Sequence, residues 1–169
     1  MNRSRFSWLR EFFAPSPLRP PGARGENQFS ALCIRCNRCV EVCPYGSLKP
    51  AGLERKDMGT PLLVARDVPC YLCMQCPPVC PSGALDSALT DKWKVRMGVA
   101  VVNEKTCYAF QGILCRTCVD ECPLGESVIF QDNDLLPRVT DKCVGCGICE
   151  KVCPATEPAI VVQPAGTVA

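Results

Sequence analysis

Cys143-Val-Gly-Cys146-Gly-Ile-Cys149-Glu-Lys-Val-Cys153-Pro154 is the stretch whose reading decides the fold. Three thiols stand two residues apart, a fourth follows after three more, and a proline closes the run. That is the C-x₂-C-x₂-C-x₃-C-P pattern of bacterial cluster-binding loops. The two-residue gaps let three thiolates from one loop reach three iron corners of a 4Fe–4S cubane and turn backbone N–H groups toward the sulfurs. The fourth cysteine lies on the next helical turn and faces away, so it ligates the other cluster of a pair. Proline then takes the chain out of that turn. Gly145 and Gly147 are read as allowing close backbone approach to the cluster.

The same pattern stands without departure at Cys33-Ile-Arg-Cys36-Asn-Arg-Cys39-Val-Glu-Val-Cys43-Pro44 and at Cys70-Tyr-Leu-Cys73-Met-Gln-Cys76-Pro-Pro-Val-Cys80-Pro81. A third copy departs from it: Cys107 is separated by seven residues from Cys115-Arg-Thr-Cys118-Val-Asp-Glu-Cys122-Pro123, and Gly112 stands where the first cysteine belongs. The first cysteines at 33, 70, 107 and 143 keep a period of about 37 residues, so Cys107 holds the register of an internal repeat. It is therefore expected to complete the third site through a longer loop; the alternative is a free Cys107 beside a three-ligand or 3Fe–4S site. Sixteen cysteines divide into four sets of four, and four 4Fe–4S clusters are the expected cofactors.

Short apolar runs flank the motifs: Leu62-Leu-Val64, Val99-Ala-Val-Val102, Leu135-Leu136 with Val139, and Ala159-Ile-Val-Val162. Charged or Pro/Gly turns bound them, which predicts short hairpins alternating with cluster loops and single helical turns. The expected fold class is α+β and loop-rich, with two bacterial-type two-cluster ferredoxin units. The domain reading sets residues 1–30 apart as an amphipathic segment and Pro-rich arm and gives 31–169 to the four-cluster region.

Composition agrees. With 16 Cys, 16 Pro and no His among 169 residues, and only 6 Phe, 3 Tyr and 2 Trp, a large aromatic core is not available, and cofactors would staple a small one. Zinc sites usually take separated cysteine pairs or include His, and a disulfide framework is the other alternative for a cysteine-rich chain. No C-x-x-C-H exists for haem, no Gly-rich nucleotide loop, and no catalytic triad components, so the chain reads as an electron carrier rather than an enzyme. The formal charge of +2 counts every thiol as neutral. Each oxidised cluster with its four thiolates adds about −2, so the loaded chain carries about −6. A nucleic-acid role has no support. Arg35, Arg38, Arg116, Lys142 and Lys151 adjoin candidate ligands, where they either offset cluster charge and raise potentials or are simply solvated.

At the start, Phe6, Leu9 and Phe13 recur at near-helical spacing with Arg3, Arg5 and Arg10 interleaved, ahead of Pro15, Pro17, Pro20 and Pro21. Residues 1–13 are a candidate for peripheral membrane association or partner docking; the bland alternative is a short helix packed on its own domain. No apolar run reaches about 18 residues, and no signal peptide or twin-arginine signal is legible, which predicts a cytoplasmic location, with a periplasmic one as the alternative.

Between the cysteines, Leu18-Arg-Pro-Pro-Gly-Ala23, Glu26-Asn-Gln-Phe29, Val64-Ala-Arg-Asp-Val-Pro-Cys70, Cys80-Pro-Ser-Gly-Ala-Leu85, Arg96-Met-Gly-Val-Ala100 and Phe110-Gln-Gly112 resemble the MauM/NapG family of ferredoxin-type proteins. The resemblance implies a four-cluster relay between a membrane quinol-oxidising iron–sulfur protein and a reductase of the periplasmic nitrate reductase type. It also implies nested pairing of motifs. Cys33, Cys36 and Cys39 would share a cluster with Cys153, and Cys143, Cys146 and Cys149 one with Cys43. Cys70, Cys73 and Cys76 would share with Cys122, and Cys107, Cys115 and Cys118 with Cys80. Sequential pairing is the simple alternative. An accessory protein that binds a molybdoenzyme or other redox subunit during maturation is the competing function, and a cluster subunit of a stable oxidoreductase complex a third.

Overall fold

A computed structural model describes residues 17–165. Its elements are short because prolines and cluster loops interrupt the chain every few residues. They are α1 (Glu26–Leu32), α2 (Arg38–Glu41), β1 (Leu48–Pro50), β2 (Pro61–Leu63), β3 (Gly98–Val102), α3 (Thr117–Asp120), β4 (Ile129–Gln131), β5 (Pro137–Val139), α4 (Ile148–Val152) and β6 (Ile160–Pro164). The fold is α+β and loop-rich, as the spacing of motifs and apolar runs predicts.

The second half shows the design plainly. β4 and β5 form an inner antiparallel hairpin between motifs three and four, with Ile129 opposite Val139. β3 and β6 close the unit as an outer antiparallel pair, from Gly98 opposite Pro164 to Val102 opposite Ile160. In β3 and β6 alternate residues are buried, among them Ala100, Ile160 and Val162, as a half-covered two-stranded ribbon requires.

The first half repeats this plan. β1 and β2 form the inner hairpin, with Leu48 opposite Leu63. The outer pair is made by the Pro-rich arm: Ala23 lies opposite Leu85, the Arg24 N–H donates to the Ala84 carbonyl, and the Asp86 N–H donates to the Gly22 carbonyl. Leu18 adds to the free edge of β2, where the Leu63 N–H donates to its carbonyl at 2.9 Å. The predicted boundary at residue 30 is thus corrected. Residues 18–29 supply two isolated β-bridges and the first part of α1 to the first unit, and Leu18, Pro20, Pro21 and Phe29 are buried in it. Arg19 fixes them there. Its guanidinium lies 4.7 Å over the Phe29 ring and donates to Glu26, Asp57, Thr60 and the Pro61 carbonyl. Beside Arg19, and with Arg55 also bonded to it, the Asp57 carboxyl is held below its ordinary range although burial pushes it up. The expected helix over residues 1–13 lies outside the described residues.

The two units share one hydrophobic core that runs from Leu18 to Val162. Their contact includes backbone against backbone: the Cys70 N–H donates to the Cys146 carbonyl at 2.8 Å. Gly147 serves this contact, since a Cβ there would collide with the Ala65 Cβ. Gly145 serves the packing of motif four on β3 within the second unit, where a Cβ would stand 2.5 Å from the Gly98 nitrogen and the Met97 N–H donates to the Val144 carbonyl at 3.0 Å. Both glycines have positive φ, +75° and +83°. The close approach Gly147 permits is therefore between the two units, and not only toward a cluster. Gly147→Ala combines left-handed strain of about 1–2 kcal/mol with overpacking of about 1–3 kcal/mol. It is expected to destabilise the holoprotein by about 3 kcal/mol, read from the shift of its denaturant midpoint; a loss under about 0.5 kcal/mol would show that the units yield at this contact.

Candidate metal centres

All sixteen cysteines are free thiols, and the fold gathers them into four sets. Cys33, Cys36 and Cys39 line an apolar cavity together with Cys80. Cys107, Cys115 and Cys118 line one with Cys153. Cys143, Cys146 and Cys149 line one with Cys122. Cys70, Cys73, Cys76 and Cys43 remain as the fourth set; Cys73 and Cys43 are near enough to act electrostatically on Cys70, as is Cys146 across the contact between units.

This grouping corrects the nested pairing. Cys153 does not join Cys33, Cys36 and Cys39; it stands with motif three. Cys80 stands with motif one, Cys43 with motif two and Cys122 with motif four. The reason is chain connectivity. One short hairpin, β1–β2 or β4–β5, folds each even-numbered motif back on the one before it, and closing a short loop costs less entropy than closing one of about a hundred residues. Cys107, read as a ligand from its register, lies in the third set and is buried, so the seven-residue loop does reach the site.

Local backbone geometry explains how three thiols crowd together. In the regular motifs the residue before the second cysteine and the one after it both have positive φ: Arg35 and Asn37, Leu72 and Met74, Gly145 and Gly147. Motif four uses glycine for this and motifs one and two accept the strain on larger residues. Motif three does not use the device, since Arg116 has φ −136° and the left-handed residue is Gly112 at the end of a single 3₁₀ turn.

The sites are lined largely by apolar side chains, and burial there sets the thiol chemistry. Burial, with neighbouring thiols, pushes Cys39, Cys118 and Cys146 up to about 11 and Cys70 up to about 12; Cys76 and Cys149 rise further for the same reason. Two of the fourth cysteines go the other way. Burial also pushes Cys43 up, but N–H groups of Ser47, Tyr45 and Leu48 and the Ser47 hydroxyl outweigh it. At Cys80 the N–H groups of Leu85, Ser82 and Ala84 and the Ser82 hydroxyl do the same. In the second unit, the Ala100 N–H donates to Cys143 Sγ at 3.4 Å and the Ala159 N–H to Cys153 Sγ at 3.3 Å. Such donors stabilise sulfur that carries negative charge, which is what a cluster ligand is.

A cubane fits this donor set. It offers four irons at separate corners to four thiolates and leaves an apolar wall in contact with its faces. No three His, Cys, Asp or Glu side chains among the described residues converge as ligands of a single metal ion, as a zinc site would require.

The charged neighbours of the ligands are less uniform than their sequence positions suggest. Arg116 is held by Asp120 at 2.7 Å and Glu126 at 3.5 Å, so its charge is largely offset. Arg35 lays its side chain against Gly59, and Arg38, Lys142 and Lys151 are exposed. Arg66 has the role that sequence reasoning missed. Its guanidinium donates to the carbonyls of Glu150, Lys151 and Cys153 and so ties the first unit to the end of α4. An isolated arginine in a turn carries no local signal for that.

Residues 32–84, which hold motifs one and two, match the model of a 4Fe-4S dicluster domain, and residues 137–155, which hold motif four, match that of a 4Fe-4S binding domain. The chain is 46% identical over 162 residues to the ferredoxin-type protein NapG of Escherichia coli, an alignment covering 87% of this chain and 70% of that one. It is 47% identical over 163 residues to the methylamine utilization ferredoxin-type protein MauM of Methylobacillus flagellatus, covering 89% and 70%. Identity to the ferredoxin-type protein NapF of Haemophilus influenzae is 33% over 141 residues. The cofactors are therefore four 4Fe–4S clusters.

Proposed function

We propose, since this chain belongs to the MauM/NapG family of ferredoxin-type proteins, that it relays electrons along four clusters in the order of motifs one, two, four and three. The cysteine sets above are the ligands of those clusters. The observation that carries the order is the contact between units. Motif two meets motif four there, with the Cys70 N–H on the Cys146 carbonyl. Cys39 acts on Cys76 within the first unit, and Cys118 acts on Cys149 within the second. Cys70, Cys76, Cys143 and Cys146 of the two inner sites are buried, whereas Cys107 is the one buried cysteine of the two terminal sites and Cys36 is exposed.

The donor is a membrane quinol-oxidising iron–sulfur protein and the acceptor a redox enzyme, of the periplasmic nitrate reductase type where the chain works as NapG-like proteins do. Relatives named for methylamine utilization stand at similar identity, so the acceptor is the less constrained partner. No helix among the described residues is long and apolar enough to cross a membrane. An accessory role in maturation would leave a continuous line of four sites without a use.

Anaerobically purified protein is expected to hold about 16 Fe and about 16 sulfide per chain. After dithionite reduction its paramagnetic resonance spectrum is expected to be broadened by coupling between neighbouring clusters. Colourless protein with stoichiometric zinc, or clusters that take up no electrons, would overturn the relay.

A further inference from the structure

We propose that the motif-three end of the molecule is a docking site for a positively charged redox protein; this rests on the relay reading, in which that site is terminal. The irregular seven-residue gap supplies the surface. Where a regular motif places two residues between its first cysteines, this loop lifts Ile113 and Leu114 into solvent, 52% and 86% exposed, directly before Cys115. The β4–β5 turn extends the patch. Leu135 is 51% exposed, and the Gln131 amide donates to both the Leu135 carbonyl at 2.7 Å and the Cys115 carbonyl at 3.3 Å. Ile113 and Leu114, within two residues of a candidate ligand, and Leu135 in the adjoining turn are exposed rather than packed in the core, and they supply the apolar part of a surface beside the site.

Charge selects the occupant. Residues 103–138 carry six acids against three bases, and two of the bases are already held: Arg116 by Asp120 and Glu126, and Arg138 by Asp132. Glu104 and Asp134 add to the negative field at Arg138, and a bound cluster adds about −2 more. The motif-one end has the opposite sign: residues 31–60 carry Arg35, Arg38, Lys49, Arg55 and Lys56 against three acids. A cationic partner is therefore steered to one end of the line and away from the other.

The test uses the full-length holoprotein, reduced with dithionite and freed of it, and follows its reoxidation by cytochrome c, a small basic haem protein, in stopped flow. Each event moves one electron from a reduced cluster to a ferric haem, which becomes ferrous; no proton or bond changes. Leu114→Ser, and separately the pair Glu104→Lys with Asp134→Lys, are expected to slow the bimolecular rate about tenfold at low ionic strength, and the charge effect is expected to fade at high salt. All three positions are exposed and ligate nothing, so iron content should stay that of the parent. Leu53→Ser with Lys56→Glu, in the hairpin beside motif one, should leave the rate within about twofold. Unchanged rates in the motif-three variants would overturn the docking site. So would equal losses in the motif-one control, or sedimentation showing that Leu114→Ser abolishes a self-association of the parent chain. Failure of the reduced clusters to pass electrons to any acceptor would instead overturn the relay reading.

Discussion

Stripped of iron, the protein is expected to unfold. The candidate ligands are not attached to a finished core; they are part of it. Cys70, Cys76, Cys143 and Cys146 belong to the buried cluster that joins the units, and Cys39, Cys80, Cys118, Cys122, Cys149 and Cys153 pack against it. Phe29 is the one aromatic side chain that is fully buried among the described residues. Without iron, three apolar, cysteine-lined sites would lose the clusters their walls pack against. Where a metal site is assembled only on folding, its binding free energy is folding free energy. The thiols bring no compensation, since burial keeps Cys39 and Cys70 protonated at neutral pH, with values of about 11 and about 12. Circular dichroism and urea titration of the apoprotein should show no cooperative transition in water. An apoprotein that melts at the holoprotein's midpoint would show that the packing stands alone.

Much of this organisation is legible in the sequence because it is local. Spacing of two and three residues identifies the loops. The period of about 37 residues puts Cys107 in register, and β3 and β6 fall on the apolar runs at Val99–Val102 and Ala159–Val162 within one or two residues. What is not legible depends on distant partners. Arg19 sits in a proline-rich stretch that reads as an arm, yet its carboxylates are 7 and 38 residues away. The strain at Arg35, Asn37, Leu72 and Met74 has no signature, because only motif four marks those positions with glycine. The pairing of motifs is a third case. Every motif has the same fourth cysteine, so spacing alone admits both nested and sequential orders. The hairpins decide, since β1–β2 lies between motifs one and two and β4–β5 between motifs three and four.

Once the pairing is sequential, the irregular motif acquires a different place. In the nested order motif three would lie in an inner unit with motif two. In the proposed relay order it is the far end of the line, and Ile113 and Leu114 of its long loop face solvent. The same departure from pattern that put Cys107 in question as a ligand is thereby what gives the terminal site an apolar surface, while the strict motifs two and four, with their buried cysteines, take the interior.

The pairing itself is expected to show in iron content. Cys107→Ala and Cys153→Ala each remove a thiolate from the site shared with Cys115 and Cys118, so each should strip or convert that one cluster and leave the other three. Full loss takes the chain from about 16 Fe to about 12, four irons per cubane. The double variant is the decisive measurement. Two ligands missing from one site cannot cost more than one cluster, so it should also hold about 12 Fe, with the same resonance spectrum as whichever single variant has lost the cluster outright. Effects at one shared site are non-additive by construction. Had Cys153 belonged with Cys33, Cys36 and Cys39, the double variant would damage two clusters, and iron would fall to about 8, or two separate 3Fe–4S signals would appear. Cys80→Ala combined with Cys107→Ala runs the comparison in reverse: these residues line different cavities, so their losses should add, where nested pairing would have them coincide.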